Sequence, residues 1–184
     1  MNPFFSRLKP LYQSLFVICA IAFICLAYKH HSGNNRFLNY FHKQLDNKEA
    51  GFIKMNLMKE YPKLESIDAR KSPNRNLMHL FEAKQSESEV LTIARIKKEL
   101  SCKECRALDF LVVINQQHQI QWVKLIDPIL ITGKTINPTE FLIQFKGKSF
   151  ESPIRIGSDV KTIDEAQDSA EAIVQGISEL LKAI

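Results

Sequence analysis

The sequence predicts an α+β fold, a small antiparallel sheet packed with helices behind an amino-terminal transmembrane helix. Three observations predict it. Short β-rich runs are followed by separate helical stretches, without the regular strand–helix–strand alternation of a parallel sheet. Hydrophobic residues make up 45% and charged residues 24% of the 184-residue chain, the balance of a globular protein rather than a disordered one. The run Leu11–Tyr28 (LYQSLFVICAIAFICLAY) holds no charge and is apolar from Leu15 onward.

As a helix that run is about 27 Å long, close to the roughly 30 Å hydrocarbon core of a bilayer. Arg7 and Lys9 precede it; Lys29, His30 and His31 follow. A cleaved signal peptide has the same basic-then-apolar order. Here, however, the exit Cys25-Leu-Ala-Tyr-Lys29 offers no small-x-small cleavage site, and Ile24 stands where a lipoprotein-type site needs a small residue. Residues 1–29 are therefore expected to be a retained single-pass anchor. Basic residues on both flanks orient it only slightly. A short tail before a long domain is the layout of an exported domain, which places the carboxy-terminal part on the extracytoplasmic (periplasmic) side, where disulfides persist.

Residues 30–75 are expected to form a juxtamembrane, mainly helical segment. His30–Asn47 starts with the turn-prone Ser-Gly-Asn-Asn and then mixes aromatic and basic residues, with Phe37, Leu38, Tyr40 and Phe41 set to lie partly buried near lipid headgroups or against the domain. Helical spacing continues through Phe52, Ile53, Met55, Leu57 and Met58 until Pro62. The main domain is expected over residues 76–184. Leu77–Phe81 and Val90–Ile96 read as strands. Ala107–Ile114 and Ile120–Ile126 are β-rich runs joined by the polar Asn115–Gln119, the pattern of a β-hairpin. Pro138–Phe145 reads as a short helix with proline in its first turn, and a long helix is expected from about Asp164 to Lys182.

That last helix carries one apolar stripe, with Ile163, Ala166, Ala170, Ile173, Val174, Ile177, Leu180 and Leu181 at helical spacing. Thr162 and Glu165 stand at the spacing of a capping box, and the acidic residues at its start suit the helix dipole.

Net charge is +5 and pI about 9.0, but the basic residues are scattered, and no arginine-rich block with interleaved aromatics points to nucleic acid. No nucleophile–base pair, paired acids or phosphate-binding glycine loop marks an enzyme, so no catalytic residue is assigned. Cys102 and Cys105 form a C-x-x-C that fits a redox dithiol, half of a metal site or a short disulfide. Arg106 stands where a c-type haem site needs histidine. A structural zinc site needs a second ligand pair, and the histidines lack partners at ligand spacing, so no metal is assigned. The pair also precedes a strand rather than a helix, which removes the helix amino-terminus that lowers a thioredoxin-like thiol's pKa.

The carboxy-terminal stretch carries a further pattern: Phe141-Leu-Ile-Gln-Phe-Lys-Gly-Lys148, Pro153-Ile-Arg-Ile-Gly157, Asp159-Val160, Ile163, Ala166 and a closing helix. Together with the preceding hairpin, over roughly residues 100–184, it resembles the bacterial FMN-binding domain. That domain occurs in the membrane-anchored flavin subunits of Rnf complexes and of sodium-pumping NADH:quinone reductases. The resemblance implies an electron-transfer setting, FMN as the cofactor, and membrane redox-complex subunits as partners. In the family a D-x-I-S/T-G-A-T segment bears FMN, linked through its phosphate to the final threonine. Here the Asp position holds Lys161, Ile163 and Ala166 are kept, and Asp164, Glu165 and Gln167 replace the hydroxyl, glycine and acceptor positions. Ala166, Gln167 and Ser169 are then the remnant of the attachment loop. An amide forms no phosphoester, and carboxylates around the loop oppose an anion. The expectation is an anchored protein of this type without covalent FMN, which acts with loosely held flavin, through Cys102 and Cys105, or as a non-redox assembly module.

Overall fold

The computed structural model describes residues 36–72, 78–86, 88–100, 107–131, 134–136, 138–163 and 166–184, and side chains for all of these except 36–42, 130, 131 and 134–136. The anchor run 11–28 and the pair Cys102 and Cys105 lie outside the described residues, as do the side chains of Phe37, Leu38, Tyr40 and Phe41. No helix among the described residues is long and apolar enough to cross a membrane. The chain divides into a unit ending at Leu45 and a compact unit from Asp46 to Ile184.

The class is α+β. Helix α1 (Arg36–Leu57) is followed by five strands, β1 (Ser66–Arg70), β2 (Met78–Lys84), β3 (Val90–Lys98), β4 (Leu108–Ile114) and β5 (Ile120–Leu125). They form one antiparallel meander in the order β1-β2-β3-β4-β5. A small hairpin, β6 (Ile129–Ile131) and β7 (Lys134–Ile136), comes next. Helix α2 (Thr139–Leu142) runs into a 3₁₀ turn (Ile143–Phe145), and helix α3 (Gln167–Ala183) closes the chain.

Alternation along the central strands sorts their side chains to two faces. Leu108, Phe110, Val112 and Ile114 of β4 join Ala94 and Ile96 of β3 in a core covered by α3 through Ala170, Ile173, Ile177 and Leu180. Leu111 and Val113 point the other way and join Phe81, Leu91 and Ile93 under Ile53 and Leu57 of α1. With both faces covered, β4 is buried at six of its seven positions, as its near-continuous apolar run requires. The sheet thus lies between α3 and the part of α1 that follows Asp46.

The hairpin forms as its pattern predicts, with one addition. The register shifts between Val113 and Ile114, so that Ile114 faces Ile120 while Val113 faces Trp122. The extra residue, Gln121, is a β-bulge, and it lets Ile120 and Val123 both face the α3 core. Beyond it, the Ile120 N–H donates to Lys148 O (2.8 Å) and the Gly147 N–H donates to Ile120 O (2.7 Å). Gly147 sits at φ +81°, which glycine adopts without steric cost, and this lets the chain leave the 3₁₀ turn and lie along β5. Phe141 and Phe145, packed edge to face at 5.2 Å between ring centroids, fill the core beneath.

Three local expectations are corrected. Strand β1 lies within the stretch expected to be helical; its sequence, Ser-Ile-Asp-Ala-Arg, offers one large apolar residue because an edge strand half-exposed on both faces needs no more. Strands β2 and β3 run past Phe81 and Ile96, to Lys84 and Lys98. Helix α3 starts at Gln167 rather than Asp164. Its N-cap is Ala166, at φ −137° with no side-chain cap, and Glu165 of the expected capping box lies outside the described residues. The buried Ile163 and Ala166 hold the entering chain against the core before helical geometry begins. Within the helix the apolar stripe from Ala170 to Leu181 is as expected, with Val174 only half-buried, while Ile163 and Ala166 precede the helix.

Candidate functional site

The segments that carry the family pattern converge on the start of α3. Gln144, in the 3₁₀ turn, grips the backbone of Lys161: its Oε1 accepts from the Lys161 N–H at 2.7 Å and its Nε2 donates to Lys161 O at 3.4 Å. Between them the loop Arg155–Val160 closes on itself, with the Gly157 N–H donating to Val160 O and the Asp159 N–H to Arg155 O. The Asp159 carboxylate accepts from the Arg155 backbone N–H, from Arg155 Nε and from Ser158 Oγ, each at 3.1 Å. The hydrogen-bonded Arg155 guanidinium, aided by Ser158, holds this carboxyl below its ordinary 3.8. The sign follows from linkage: a depressed pKa stabilises the loop above the unfolded value, and the contribution is lost as pH falls through the folded one. The Asp159 carboxyl carbon is expected to titrate below the ordinary 3.8 when followed by NMR, and Arg155→Ala is expected to bring it back toward that value.

At the helix start the residues expected to mark the attachment segment separate. Gln167 is exposed, and its Nε2 donates to Glu171 Oε1 at 2.9 Å, one turn on. Ser169, the nearest hydroxyl, is 3% exposed, on the buried side with Ala166 and Ala170. Asp168 stands in the first turn, and both it and Glu171 are exposed. A phosphate placed at these free N–H groups would gain from the dipole but would meet the charges of Asp168 and Glu171. The residues present therefore do not fit a covalently linked FMN: the exposed position has no hydroxyl, and the hydroxyl has no exposure. Asp164 and Glu165 lie outside the described residues.

The opposite face of the sheet holds a charge network that local spacing did not signal. Arg95 of β3 donates to Asp109 of β4 through Nε (3.0 and 3.2 Å) and Nη2 (2.5 Å), and to Glu49 of α1 through Nη1 (2.9 Å). The other oxygen of Glu49 meets His79 Nδ1 of β2 at 2.5 Å. The Arg95 guanidinium also lies 4.9 Å from the Phe52 ring centroid. Hydrogen bonding to Asp109, opposed by burial and aided by Glu49, raises the Arg95 pKa above its ordinary value. An arginine fixed by two carboxylates offers no nucleophile and no transferable proton; what it does here is tie one helix to three strands. On the α3 side, Lys98 Nζ reaches Glu179 Oε2 at 2.7 Å and ties β3 to that helix. Among the described residues no group of three metal-ligating side chains is present.

In comparison with known proteins, the chain matches no protein-family model and no curated protein. The class it defines by its own geometry is a five-stranded antiparallel α+β domain with helices on both faces of the sheet.

Proposed function

We propose that this chain is a membrane-anchored, extracytoplasmic protein of FMN-binding-domain type that serves a membrane electron-transfer system without carrying covalent FMN. The observation that carries this reading is the start of α3. The family-like segments Phe141–Lys148 and Arg155–Val160 lead into a helix N-terminus. There Gln167 takes the acceptor position with its amide bonded to Glu171, and Ser169 is buried. A scaffold that keeps the approach to an attachment loop while the loop loses its hydroxyl supports a retained fold with an altered role.

The test uses the full chain purified from a host that has the flavin transferase, run on a denaturing gel and viewed for flavin fluorescence. The wild-type band is expected to be dark, and the quadruple variant Lys161→Asp, Asp164→Thr, Glu165→Gly, Gln167→Thr is expected to fluoresce. A fluorescent wild-type band overturns the loss of attachment. A dark quadruple variant that still melts cooperatively overturns the family-type reading and favours a non-redox assembly module. Flavin absorbance in the native wild-type protein alone supports loosely held FMN, and a thiol count that changes with reductant supports a role for Cys102 and Cys105.

A further inference from the structure

Between the β2–β3 and β4–β5 turns lies a cleft of about 290 Å³. Its chemistry is unusual in being polar yet almost uncharged. Asn115, Gln116, Gln117 and Gln121 supply amides, Glu89 the single carboxylate and Tyr61 a phenol, with Val90 and Leu91 as the apolar remainder. None of the described residues that line it is cationic.

The walls are built before any ligand arrives. Asn115 Oδ1 accepts from the N–H groups of Gln117 (3.0 Å) and Gln119 (2.8 Å), fixing the β4–β5 turn as an Asx-type turn. Gln116 Nε2 donates across to Ser88 O at 3.2 Å, joining the two turns. Gln121 is the bulge residue, set out of register by the shift at Val113 and Ile114. The Tyr61 ring packs edge to face on Trp122 at 6.4 Å, which holds its plane in place. Burial, with the Glu60 and Glu89 carboxylates, raises the Tyr61 hydroxyl pKa, so the phenol stays a donor. In the turn that carries Glu89, the buried Gln85 Oε1 has no hydrogen-bond donor among the described residues.

We propose that this cleft binds a neutral, hydroxyl-rich ligand the size of one sugar ring. The Glu89 carboxylate, with no cation beside it among the described lining residues, disfavours phosphates and carboxylates. The small apolar share disfavours a hydrophobic ligand. The amides of Gln117 and Gln121 each present a donor and an acceptor together, which is what each hydroxyl of a sugar also presents, and the Tyr61 ring offers an apolar surface for the ring's C–H groups. The volume is just under the roughly 300–1,000 Å³ of sites for drug-sized molecules, which suits a single ring. This binding is independent of the flavin reading.

The experiment is saturation-transfer NMR on the full chain in phosphatidylcholine nanodiscs, free of sugar-headed detergent. The probes are glucose, galactose, N-acetylglucosamine and its trimer, with inorganic phosphate as the anionic comparison. Transfer to ring protons of at least one neutral sugar is expected. The Gln117→Ala, Gln121→Ala double variant, whose side chains are bonded to no core group, is expected to bind about tenfold more weakly, the effect of roughly one lost hydrogen bond or slightly more. An unchanged thermal melt shows that this variant is folded. Binding of a monosaccharide supports a free sugar as ligand, and binding of the trimer alone supports the end of a glycan chain. No transfer to any neutral sugar, or equal transfer in wild type and double variant, overturns the proposal.

Discussion

Replacing Phe110 with alanine is expected to destabilise the domain by about 3–5 kcal/mol, the range for removing a buried aromatic from a packed core. Phe110 is 0% exposed at the centre of β4, facing Ile96 on one side and Leu125 on the other. Its ring also supports α3 at Gly176. A Cβ added at Gly176 would sit 2.9 Å from Phe110 Cζ and 3.2 Å from Ile96 Cγ2. Glycine in a helix interior costs about 1 kcal/mol relative to alanine, and this close approach is what requires it. Gly176→Ala alone gains that propensity but meets an overpacking cost of roughly 1–3 kcal/mol, for a net loss of up to about 2 kcal/mol. With Phe110 already cut to alanine the closest obstruction is gone and Ile96, at 3.2 Å, has the vacated space to move into, so Gly176→Ala is expected to stabilise. Urea unfolding of the four proteins measures this as a coupling energy of opposite sign to the single effects. Additive effects would mean that α3 does not close on Phe110.

What the sequence made legible, and what it did not, follows from where each signal resides. The β4–β5 hairpin and the α3 stripe were legible because apolar periodicity is set by burial, and these elements are buried on long faces. The start of α3 was misread because Thr162-x-x-Glu165 has the spacing of a capping box, whereas the burial of Ile163 and Ala166 decides where the helix begins. Strand β1 was missed for the opposite reason: an edge strand with exposed residues needs no apolar alternation. The burial of Ser169 and the pairing of Gln167 with Glu171 were not readable, because both depend on the helix phase. The polar cleft was not readable at all. It is formed by two turns and the Tyr61 segment, brought together only when the strands pair. The charge network has the same character. Glu49 and His79 stand 30 residues apart and Glu49 and Arg95 stand 46 apart, so no local spacing announces them.

That network carries the second large effect. Arg95→Ala is expected to cost about 2–3 kcal/mol, between the roughly 0–1 of an exposed ion pair and the roughly 3–5 of breaking a fully buried one. The intermediate value follows from partial burial: the Arg95 side chain is 18% exposed, Glu49 13% and Asp109 12%. Truncation leaves both carboxylates close to the sheet without the guanidinium that satisfies them, which costs more than the attraction alone. Arg95→Lys keeps the charge but not the planar fork that reaches Asp109 and Glu49 together, so it is expected to recover less than half of the loss. The pH behaviour distinguishes this brace from a titrating switch. The Arg95 pKa is raised, so its contribution is fully present below the unfolded value and is lost only as pH rises through the still higher folded one. The stability difference between wild type and Arg95→Ala is therefore expected not to shrink from about pH 8 to about pH 10. Hydrogen exchange supplies the local reading. Because Glu49 is the contact from α1, amides from Ala50 to Leu57 are expected to lose protection before those of β4. If α1 keeps its protection and the urea midpoint is unchanged, Ile53 and Leu57 hold the helix without help from the charges.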